Sequence, residues 1–374
     1  MTPDPVRIVL LGGFLGAGKT TAIARLARRF QDRGLKVGII TNDQADDLVD
    51  TDTLRCQGFA VEQVVGGCFC CHFDALTHSA AALLEHEAPQ VILAEPVGSC
   101  TDLVATVIRP LMKLFGVRIE LAPYGVLLKP EYARLLLAED DATLQSDASY
   151  IFSKQLEEAD FIAVNKVDML TEVEIQRFIR LAGTINPGAP VVPISARTAE
   201  GFDHLINLIG QPGAAASRIL TVSYDRYARG EAELGWLNSR VRISGHLPFS
   251  LDDLLLTLAT RLADLLNDRL AETAHVKISA RGGERYGLVN LVDRRGDVEL
   301  SLPSGGRASD AELIINARVT MDPTALEDQV VRALEWTCAR FELSPEFQAL
   351  RSFRLGRPVP VHRIVSLEDQ IARS

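Results

Sequence analysis

The chain has 374 residues, of which 47% are hydrophobic, and its formal net charge is −10. This length indicates two domains, and an acidic chain without a basic stripe is not expected to bind nucleic acid. No apolar run approaches the roughly 18 residues of a membrane helix, and six cysteines, three of them crowded together, do not form the framework of a secreted disulfide protein. We therefore expect a cytoplasmic protein with reduced thiols and no membrane contact.

The first two hundred residues alternate between predicted strands and predicted helices. Apolar, β-branched runs predict strands at 7–11, 36–41, 61–65, 91–95, 161–165 and 191–195. After the first run, apolar residues recur at i, i+3, i+4 and i+7 within 18–33 and predict an amphipathic helix. This alternation is typical of an α/β fold with a doubly wound, mostly parallel sheet.

A second domain is predicted after a break in this pattern at 211–217, which indicates a linker. The first domain is therefore assigned to 1–212 and a smaller α+β domain to 219–374. Its predicted helices lie near 250–270 and 323–341, and its predicted strands near 219–224, 239–244, 274–281, 285–292 and 312–319. The pattern contains no catalytic constellation, so we expect this domain to contact a client or partner.

The strongest chemical signal is GFLGAGKT at 13–20, which matches G-x-x-x-x-G-K-[ST] between a predicted strand and a predicted helix. Glycines allow backbone N–H groups to surround phosphates, and the helix N-terminus adds partial positive charge. Lys19 is expected to reach the β and γ oxygens, and the Thr20 hydroxyl to ligate Mg²⁺. The chain is thus a predicted P-loop NTPase, whose phosphate-binding residues are Gly13, Gly16, Ala17, Gly18, Lys19, Thr20 and Thr21.

The nucleotide base is predicted from NKVD at 165–168, which lies at the end of a predicted strand. An aspartate at this point accepts both the N1 and N2 hydrogens of guanine, whereas adenine presents a different edge. We therefore expect GTP rather than ATP, bound by Asn165, Lys166 and Asp168. After the next strand, the backbone of Ser195 and Ala196 is expected to complete the guanine pocket.

Two segments are candidates for sensing the γ-phosphate. A predicted strand ends at Glu95, which would hold magnesium or the attacking water, while the N–H of Gly98 would reach the γ-phosphate. Asp43, in TNDQADD, is the other expected magnesium ligand. The alternative for Asp43 is an acidic loop that caps a helix. The expected catalytic residues are therefore Lys19, Glu95 and Gly98.

Three cysteines lie within four positions in VVGGCFCCHFD at 64–74. Because ligands gather at the carboxyl ends of parallel strands, Cys68, Cys70 and Cys71 are expected at the same edge as the phosphate loop. Thiolates favour a soft or borderline metal, with Zn²⁺ as the first expectation and Co²⁺, Ni²⁺ or Cu⁺ as alternatives. Since no second C-x-x-C pair is present, we expect a site that loads and unloads its ion, with His72 or Cys100 as a fourth ligand.

Other interpretations of the cysteines stay open at this stage. Cys68 and Cys71 have the spacing of a redox pair. Buried, chemically inert thiols are an ordinary use of cysteine. This last interpretation is the one we assign to Cys56 and Cys338.

Together, GGFLGAGKTT, GGCFCC, the Glu-x-x-Gly strand end and Q-x-x-x-A-D-x-x-x-x-NKVD at 155–168 resemble the CobW-like family of P-loop GTPases. The relatives of that family are the nickel-insertion accessory GTPases of urease and hydrogenase. The resemblance implies a GTPase that binds metal through its C-x-C-C motif and delivers the metal, or a metal cofactor, to a client. It also implies that Lys19 and Thr20 bind phosphate and Mg²⁺ and that Asp168 binds guanine. TNDQ and EPVG depart from the family's N-E-x-G and E-T-x-G stretches.

The expected function is therefore that of a GTP-dependent metallochaperone or cofactor-insertion GTPase that serves a client metalloenzyme. Hydrolysis would loosen the metal geometry beside the client. The alternative is a regulatory G-protein that gates cofactor loading of a partner enzyme without carrying metal. A small-molecule kinase is disfavoured by NKVD, and a homodimer is left open.

Overall fold

A computed structural model describes residues 5–42, 49–137, 147–211, 218–269, 271–291 and 298–365. The chain divides into two units, each assembled from separate segments. Unit 1 comprises Met1–Gln44, Gln57–Gly230 and Arg357–Ser374, and unit 2 comprises Ala45–Cys56 and Glu231–Gly356. This division differs from the predicted one, because a segment from the first half of the chain belongs to unit 2 and the C-terminus returns to unit 1.

The helices of the described residues include the one predicted at 18–33, whose apolar residues Ile23, Leu26, Ala27 and Phe30 are buried. None of the described helices has the length and apolar character that crossing a bilayer requires. The α-helices are α1 (Lys19–Asp32), α2 (Val49–Cys56), α3 (Phe73–His86), α4 (Arg109–Phe115), α5 (Pro130–Leu137), α6 (Asp147–Glu158), α7 (Glu172–Ile185), α8 (Phe202–Ile209), α9 (Tyr224–Ala232), α10 (Leu251–Asn267) and α11 (Pro323–Phe341).

Unit 1 is built on a parallel sheet in the order β3-β2-β4-β1-β6-β7-β8, with β5 also paired to β1. Strands β2, β4 and β7 are buried at every position, as expected for a sheet covered on both faces. The predicted α/β parallel fold is confirmed. Its strands are β1 (Val6–Gly13), β2 (Val37–Asn42), β3 (Ala60–Val64), β4 (Val91–Glu95), β5 (Ile119–Leu121), β6 (Gly125–Leu128), β7 (Phe161–Val164) and β8 (Val191–Pro193).

Unit 2 contains a separate antiparallel sheet in the order β12-β11-β10-β13-β9-β14. Residues of α10 and α11 share one apolar core with this sheet, so the predicted α+β character of the C-terminal region is confirmed. The strands are β9 (Gly235–Ser250), β10 (Thr273–Gly282), β11 (Arg285–Leu291), β12 (Val298–Leu302), β13 (Arg307–Val319) and β14 (Leu343–Phe353).

Helix α2 also belongs to unit 2, although it lies between β2 and β3 in the chain. The backbone N–H of Val49 donates to Asn316 over 3.0 Å, and the hydroxyls of Thr53 and Tyr286 lie 2.7 Å apart. Asp50 forms an ion pair with Lys277. Helix α2 is therefore attached to β10, β11 and β13 by these polar contacts and by the packing of Val49 against Leu288 and Ile314.

Several features of the C-terminal region differ from the predictions, among them strand β12 and helix α9, which were not predicted. Residues 219–223 do not form a strand, because side chains rather than a neighbouring strand bind their backbone: Ser223 N–H donates to the Tyr150 hydroxyl over 2.7 Å and Leu220 O accepts from Arg363 over 2.9 Å. Strand β14 was not predicted; it contains Pro345, which a sheet tolerates at an edge such as this one. Residues 212–217 of the predicted linker lie outside the described residues.

Candidate nucleotide and metal site

The predicted phosphate loop connects β1 to α1, and its backbone has the conformations that require glycine. The φ angles of Gly13, Gly16 and Gly18 are 134°, 72° and 88°. A Cβ at Gly13 would lie 2.7 Å from the Leu127 carbonyl oxygen, and a Cβ at Gly18 would lie 2.5 Å from the Asn165 amide nitrogen. Both the backbone angle and the available space therefore restrict these positions to glycine.

Lys19 and Thr20 lie buried at the start of α1, with their polar atoms directed to neighbouring elements. The Lys19 ammonium donates to the Gly13 carbonyl over 2.9 Å, and the Thr20 hydroxyl donates to the Glu95 carboxylate over 3.0 Å. The donor set fits magnesium and a nucleotide, since Mg²⁺ takes hydroxyl and carboxylate oxygens beside phosphates. Thr21 is exposed on the following position.

The segment from Glu95 to Cys100 runs from this cradle past the phosphate loop. A Cβ at Gly98 would lie 3.0 Å from the backbone nitrogen of Leu15, so Gly98 lies directly against the loop. The Gln155 amide of α6 donates to the carbonyls of Gly98 and Cys100 over 2.9 and 2.7 Å. These bonds fix the segment from one side. Asp43, the other predicted magnesium ligand, lies outside the described residues.

Asn165 links the predicted base site to the phosphate loop. Its amide donates to the Ala17 carbonyl over 2.7 Å, and its side-chain oxygen accepts from the Ala196 N–H over 3.0 Å. The structure thus brings the loops after β7 and β8 together with the loop after β1. Ala196 contributes its N–H to Asn165, and Lys166 has a left-handed backbone with φ of 63°.

The Asp168 carboxylate is oriented by two residues of the loop after β8. The Ser195 hydroxyl donates to it over 2.6 Å, and an Arg197 guanidinium nitrogen lies 2.5 Å from its other oxygen. The sequence predicted a backbone role for Ser195, whereas the structure shows its side chain positioning the carboxylate. Arg197 was not predicted as a site residue, although it directly follows the ISA segment, and it forms an ion pair with Asp168.

The cysteines form a tight turn between β3 and α3. The N–H groups of Cys71 and His72 both donate to the Cys68 carbonyl, over 3.0 and 2.9 Å. The sulfurs of Cys68 and Cys70 lie 2.9 Å apart, and those of Cys70 and Cys71 lie 3.8 Å apart. Within the described residues, these three thiols are the group of metal-ligand atoms that all lie within 4.8 Å of one another, and His72 is not part of it. The predicted thiol set is thus brought together.

Asn42, the last residue of β2, ties this turn to the strand that precedes Asp43. Its amide donates to the carbonyls of Val64 and Gly67 over 3.1 and 2.7 Å, and its oxygen accepts from the Phe69 N–H over 2.9 Å. The side chain is 8% exposed, so water does not replace these bonds readily. Sequence reasoning did not identify Asn42, although a polar residue at the carboxyl end of a buried strand is a usable signal.

Hydrogen bonding among the thiols shifts their pKa values in opposite directions. Bonds to Cys100 first, and then to Cys70 and Cys71, hold the pKa of Cys68 well below its usual value. The same network raises the pKa of Cys70, with the bond to Cys100 as the largest cause, and the bond to Cys68 raises the pKa of Cys71 to about 11. Cys68 is therefore the one of the three thiols whose pKa is lowered, and the thiolate is the form of cysteine that binds metals.

A C-terminal strap, residues 357–365, crosses the cysteine turn. The Val361 N–H donates to the Cys70 carbonyl over 2.9 Å, and the Val359 N–H donates to the Cys71 sulfur. No sequence signal indicated this contact, because the strap has neither a motif nor a secondary-structure pattern. The strap therefore adds a backbone donor to a candidate ligand from nearly 300 residues away in the chain.

The strap is held by a buried carboxylate after β4. Asp102 is fully buried with a φ of 61°, and it accepts from Arg363 and from the Tyr224 hydroxyl, each over 2.7 Å. Further along, the Ile364 N–H donates to the Ala105 carbonyl over 2.8 Å. These bonds place residues from the end of the chain beside the segment that begins at Glu95.

The thiols and the phosphate cradle are near each other in unit 1. Cys100 contacts Cys68 and Cys70 through its thiol, and it lies five residues after Glu95, which binds Thr20. A chain of five residues spans at most about 18 Å when fully extended. The predicted proximity of the cysteine turn to the phosphate loop is therefore consistent with the geometry.

The parallel sheet, the glycine loop and the thiol turn at one sheet edge define a P-loop nucleotide-binding fold with a candidate metal site. The family model for the CobW/HypB/UreG nucleotide-binding domain matches residues 7–193, half of the chain, and the chain belongs to this family of P-loop GTPases. The resemblance noted from the motifs is thus confirmed.

Several relatives carry metal-related names. The zinc chaperone CobW of Sinorhizobium sp. is 29% identical over 43% of this chain and 51% of its own length. The zinc chaperone YeiR of Escherichia coli is 32% identical over 46% of this chain and 51% of its own length. The chain thus spans about half the length of these two relatives. The urease accessory protein UreG 2 of a Bradyrhizobium strain is 28% identical over 53% of this chain and 87% of its own length.

Among solved structures, Zn(II)-bound YjiA GTPase from Escherichia coli is similar, with 16% identity and a TM-score of 0.38. The similarity covers 89% of this chain and 99% of that chain. HypB from Helicobacter pylori in complex with nickel has 20% identity and a TM-score of 0.39, over 54% of this chain and 84% of that chain.

Proposed function

We propose that this chain is a GTP-dependent metallochaperone, which holds a transition-metal ion at Cys68, Cys70 and Cys71 and releases it to a client metalloenzyme when GTP is hydrolysed. The observation that carries the proposal is the position of the thiol turn. It is bonded through Asn42 to the end of β2 and through Cys100 to the segment that begins at Glu95. Both segments are candidates for sensing the γ-phosphate.

The proposed nucleotide site uses residues of the phosphate loop and of β4. Lys19 would exchange its bond to the Gly13 carbonyl for phosphate oxygens, and the Gly98 N–H would approach the γ-phosphate. Thr20 and Glu95 would hold Mg²⁺, which supplies positive charge against the phosphates. Glu95 is also the candidate that orients the attacking water, which takes the γ-phosphoryl group of GTP to form inorganic phosphate while GDP leaves.

The proposed base specificity depends on Asp168. With guanine bound, its carboxylate would accept the N1 and N2 hydrogens, the Ser195 hydroxyl would keep the carboxylate oriented, and Arg197 would turn away. Asn165 and Ala196 complete the loop contacts, with Lys166 in the same segment. GTP is therefore the proposed nucleotide.

Zinc is the proposed cargo, with cobalt or nickel as alternatives. Three thiols whose sulfurs all lie within 4.8 Å of one another match the preference of zinc for sulfur, and two of the relatives are named zinc chaperones. None of the six cysteines, all of which lie in the described residues, forms a disulfide, which suits the reducing cytoplasm. Delivery to a client metalloenzyme and formation of a homodimer are further predictions of this proposal.

Zinc affinity measured by chelator competition, with a GTP analogue and with GDP, tests the proposal. We expect the two affinities to differ by about 5- to 150-fold, the usual range for coupled sites. Equal affinities would refute a nucleotide-controlled site, because a ligand without differential affinity shifts no equilibrium. The matched control is Lys19→Ala, which should retain zinc binding but lose the dependence on nucleotide.

Base specificity is tested with Asp168→Asn. An amide donates where the carboxylate accepts, so this variant should bind xanthosine triphosphate in place of GTP, with the preference measured by displacement of a fluorescent analogue. The alternative function, a G-protein that does not carry metal, predicts that replacing Cys68, Cys70 and Cys71 with serine leaves client activation intact. Loss of activation together with loss of zinc supports the metallochaperone.

A further inference from the structure

A fourth thiol, that of Cys100, lies against the cysteine cluster in the described part of the chain. Cys100 is 1% exposed, and its thiol is hydrogen-bonded to those of Cys68 and Cys70. It comes from the segment after β4, whereas the other three come from the turn after β3. Two elements of the parallel sheet therefore deliver sulfur atoms to one place.

The position of Cys100 is fixed by its own backbone. Its N–H donates to the Val97 carbonyl over 2.9 Å, and its carbonyl accepts from the Gln155 amide over 2.7 Å. Its sulfur is nevertheless outside the group of ligand atoms that all lie within 4.8 Å of one another. Cys100 thus contacts two of the candidate ligands, Cys68 and Cys70, but its sulfur lies farther from at least one of the three sulfurs than those sulfurs lie from one another.

The environment favours a protein ligand over water at the fourth coordination position. Cys68, Cys70 and Cys100 are 4%, 1% and 1% exposed, so three of the four sulfurs face the interior. Zinc bound to four sulfurs at about 2.3 Å has sulfurs about 3.8 Å apart. The separation of Cys70 and Cys71 already has this value, at 3.8 Å. The side chain of His72, the other expected fourth ligand, packs against Gly67 and is not part of the group of sulfurs.

We propose that Cys100 supplies the fourth thiolate of the metal site, so that the ion is held by four sulfurs when the segment from Glu95 to Cys100 is drawn in and by three when it relaxes. This inference rests on the proposed metallochaperone function and specifies its cargo as an ion that accepts tetrahedral sulfur coordination. The thiols lose their protons to solvent as the ion binds. Because Glu95 and Gly98 belong to the same short segment, the γ-phosphate would act on one of the metal ligands directly.

The test uses Co²⁺ as a spectroscopic probe of the full-length protein. Each Co–S bond contributes to the sulfur-to-cobalt charge-transfer absorption, so Cys100→Ala should lose about a quarter of the intensity if four thiolates bind. Cys338→Ala, which removes a buried cysteine from α11, should keep all of it. Equal intensity in wild type and Cys100→Ala would overturn the fourth ligand but not the proposed function. Absence of any cobalt or zinc binding in wild type would overturn the proposed function itself.

Two further measurements keep the inference testable if Cys100→Ala folds poorly. X-ray absorption at the zinc edge of wild-type protein should show four sulfurs at about 2.3 Å, and three sulfurs with a lighter atom would overturn the inference. In a folded Cys100→Ala variant, the difference between the zinc affinities measured with GTP analogue and with GDP should become smaller, because only the link through Asn42 remains. If the variant keeps the full wild-type difference, Cys100 does not transmit the nucleotide state.

Discussion

Replacement of Asn42 by aspartate tests the link between β2 and the cysteine turn. The amide donates to the carbonyls of Val64 and Gly67 and accepts from the Phe69 N–H. An aspartate of the same shape can still accept from Phe69, but it loses both donors and places a carboxylate against two buried carbonyl oxygens. The change therefore removes two of three hydrogen bonds without creating a cavity.

The expected cost follows from these two bonds. Each of the two hydrogen bonds contributes about 1 kcal/mol, and the loss of each leaves a buried carbonyl without a donor. Asn42→Asp should therefore lower the free energy of unfolding by about 2–4 kcal/mol. Where about 1.4 kcal/mol of this loss is free energy that orders the cysteine turn, zinc binding must supply it, and zinc affinity should fall about tenfold. Urea unfolding and chelator competition measure the two quantities.

Asn207→Asp is the control, because it makes the same chemical change at an exposed position on α8. It should alter the free energy of unfolding by no more than about 0.5 kcal/mol. If Asn42→Asp were as mild as this control and bound zinc normally, the bonds of Asn42 would not order the thiol turn. The structural link between β2 and the metal site would then have no energetic basis.

Three further predictions concern buried groups. Burial raises the pKa of Glu158 to about 8, above about 4.3 in the unfolded chain, so the unfolded state binds fewer protons between these values. The free energy of unfolding should therefore fall by at most about 5 kcal/mol as the pH rises from 4.5 to 8. Glu158→Gln should reduce this fall. Urea unfolding across this pH range measures it, and a variant whose free energy of unfolding depends on pH as in wild type would contradict the assignment. A Cβ at Gly67 would overlap the His72 ring, so Gly67→Ala should lower the free energy of unfolding by about 1–3 kcal/mol in wild type. A double-mutant cycle should show a clearly smaller loss in a His72→Ala background. Equal losses in the two backgrounds would exclude the clash. Tyr286→Phe removes a bond to Thr53 and should cost about 1 kcal/mol and speed hydrogen exchange in α2, whereas unchanged exchange would mean that this bond does not hold the helix.

Local patterns were sufficient for the parallel sheet and for the phosphate loop. The predicted strands of unit 1 and the helix at 18–33 match because apolar spacing and glycine chemistry act over a few residues. Strands β5 and β6 were not predicted, since runs of three and four residues carry little periodicity. The prediction at 219–224 was wrong because an apolar, β-branched run forms a strand only where another strand is available to pair with it.

The sequence by itself determined the family, the phosphate loop and the presence of three crowded thiols, because each of these is encoded in residues that are adjacent in the chain. Only the tertiary structure decided that Asn42 supports the thiol turn, that Cys100 joins it and that the strap crosses it. The physical reason is that hydrogen bonds and thiol contacts depend on distance in space. The residues that make them are separated by 22 to nearly 300 positions, and no local periodicity records which of them meet.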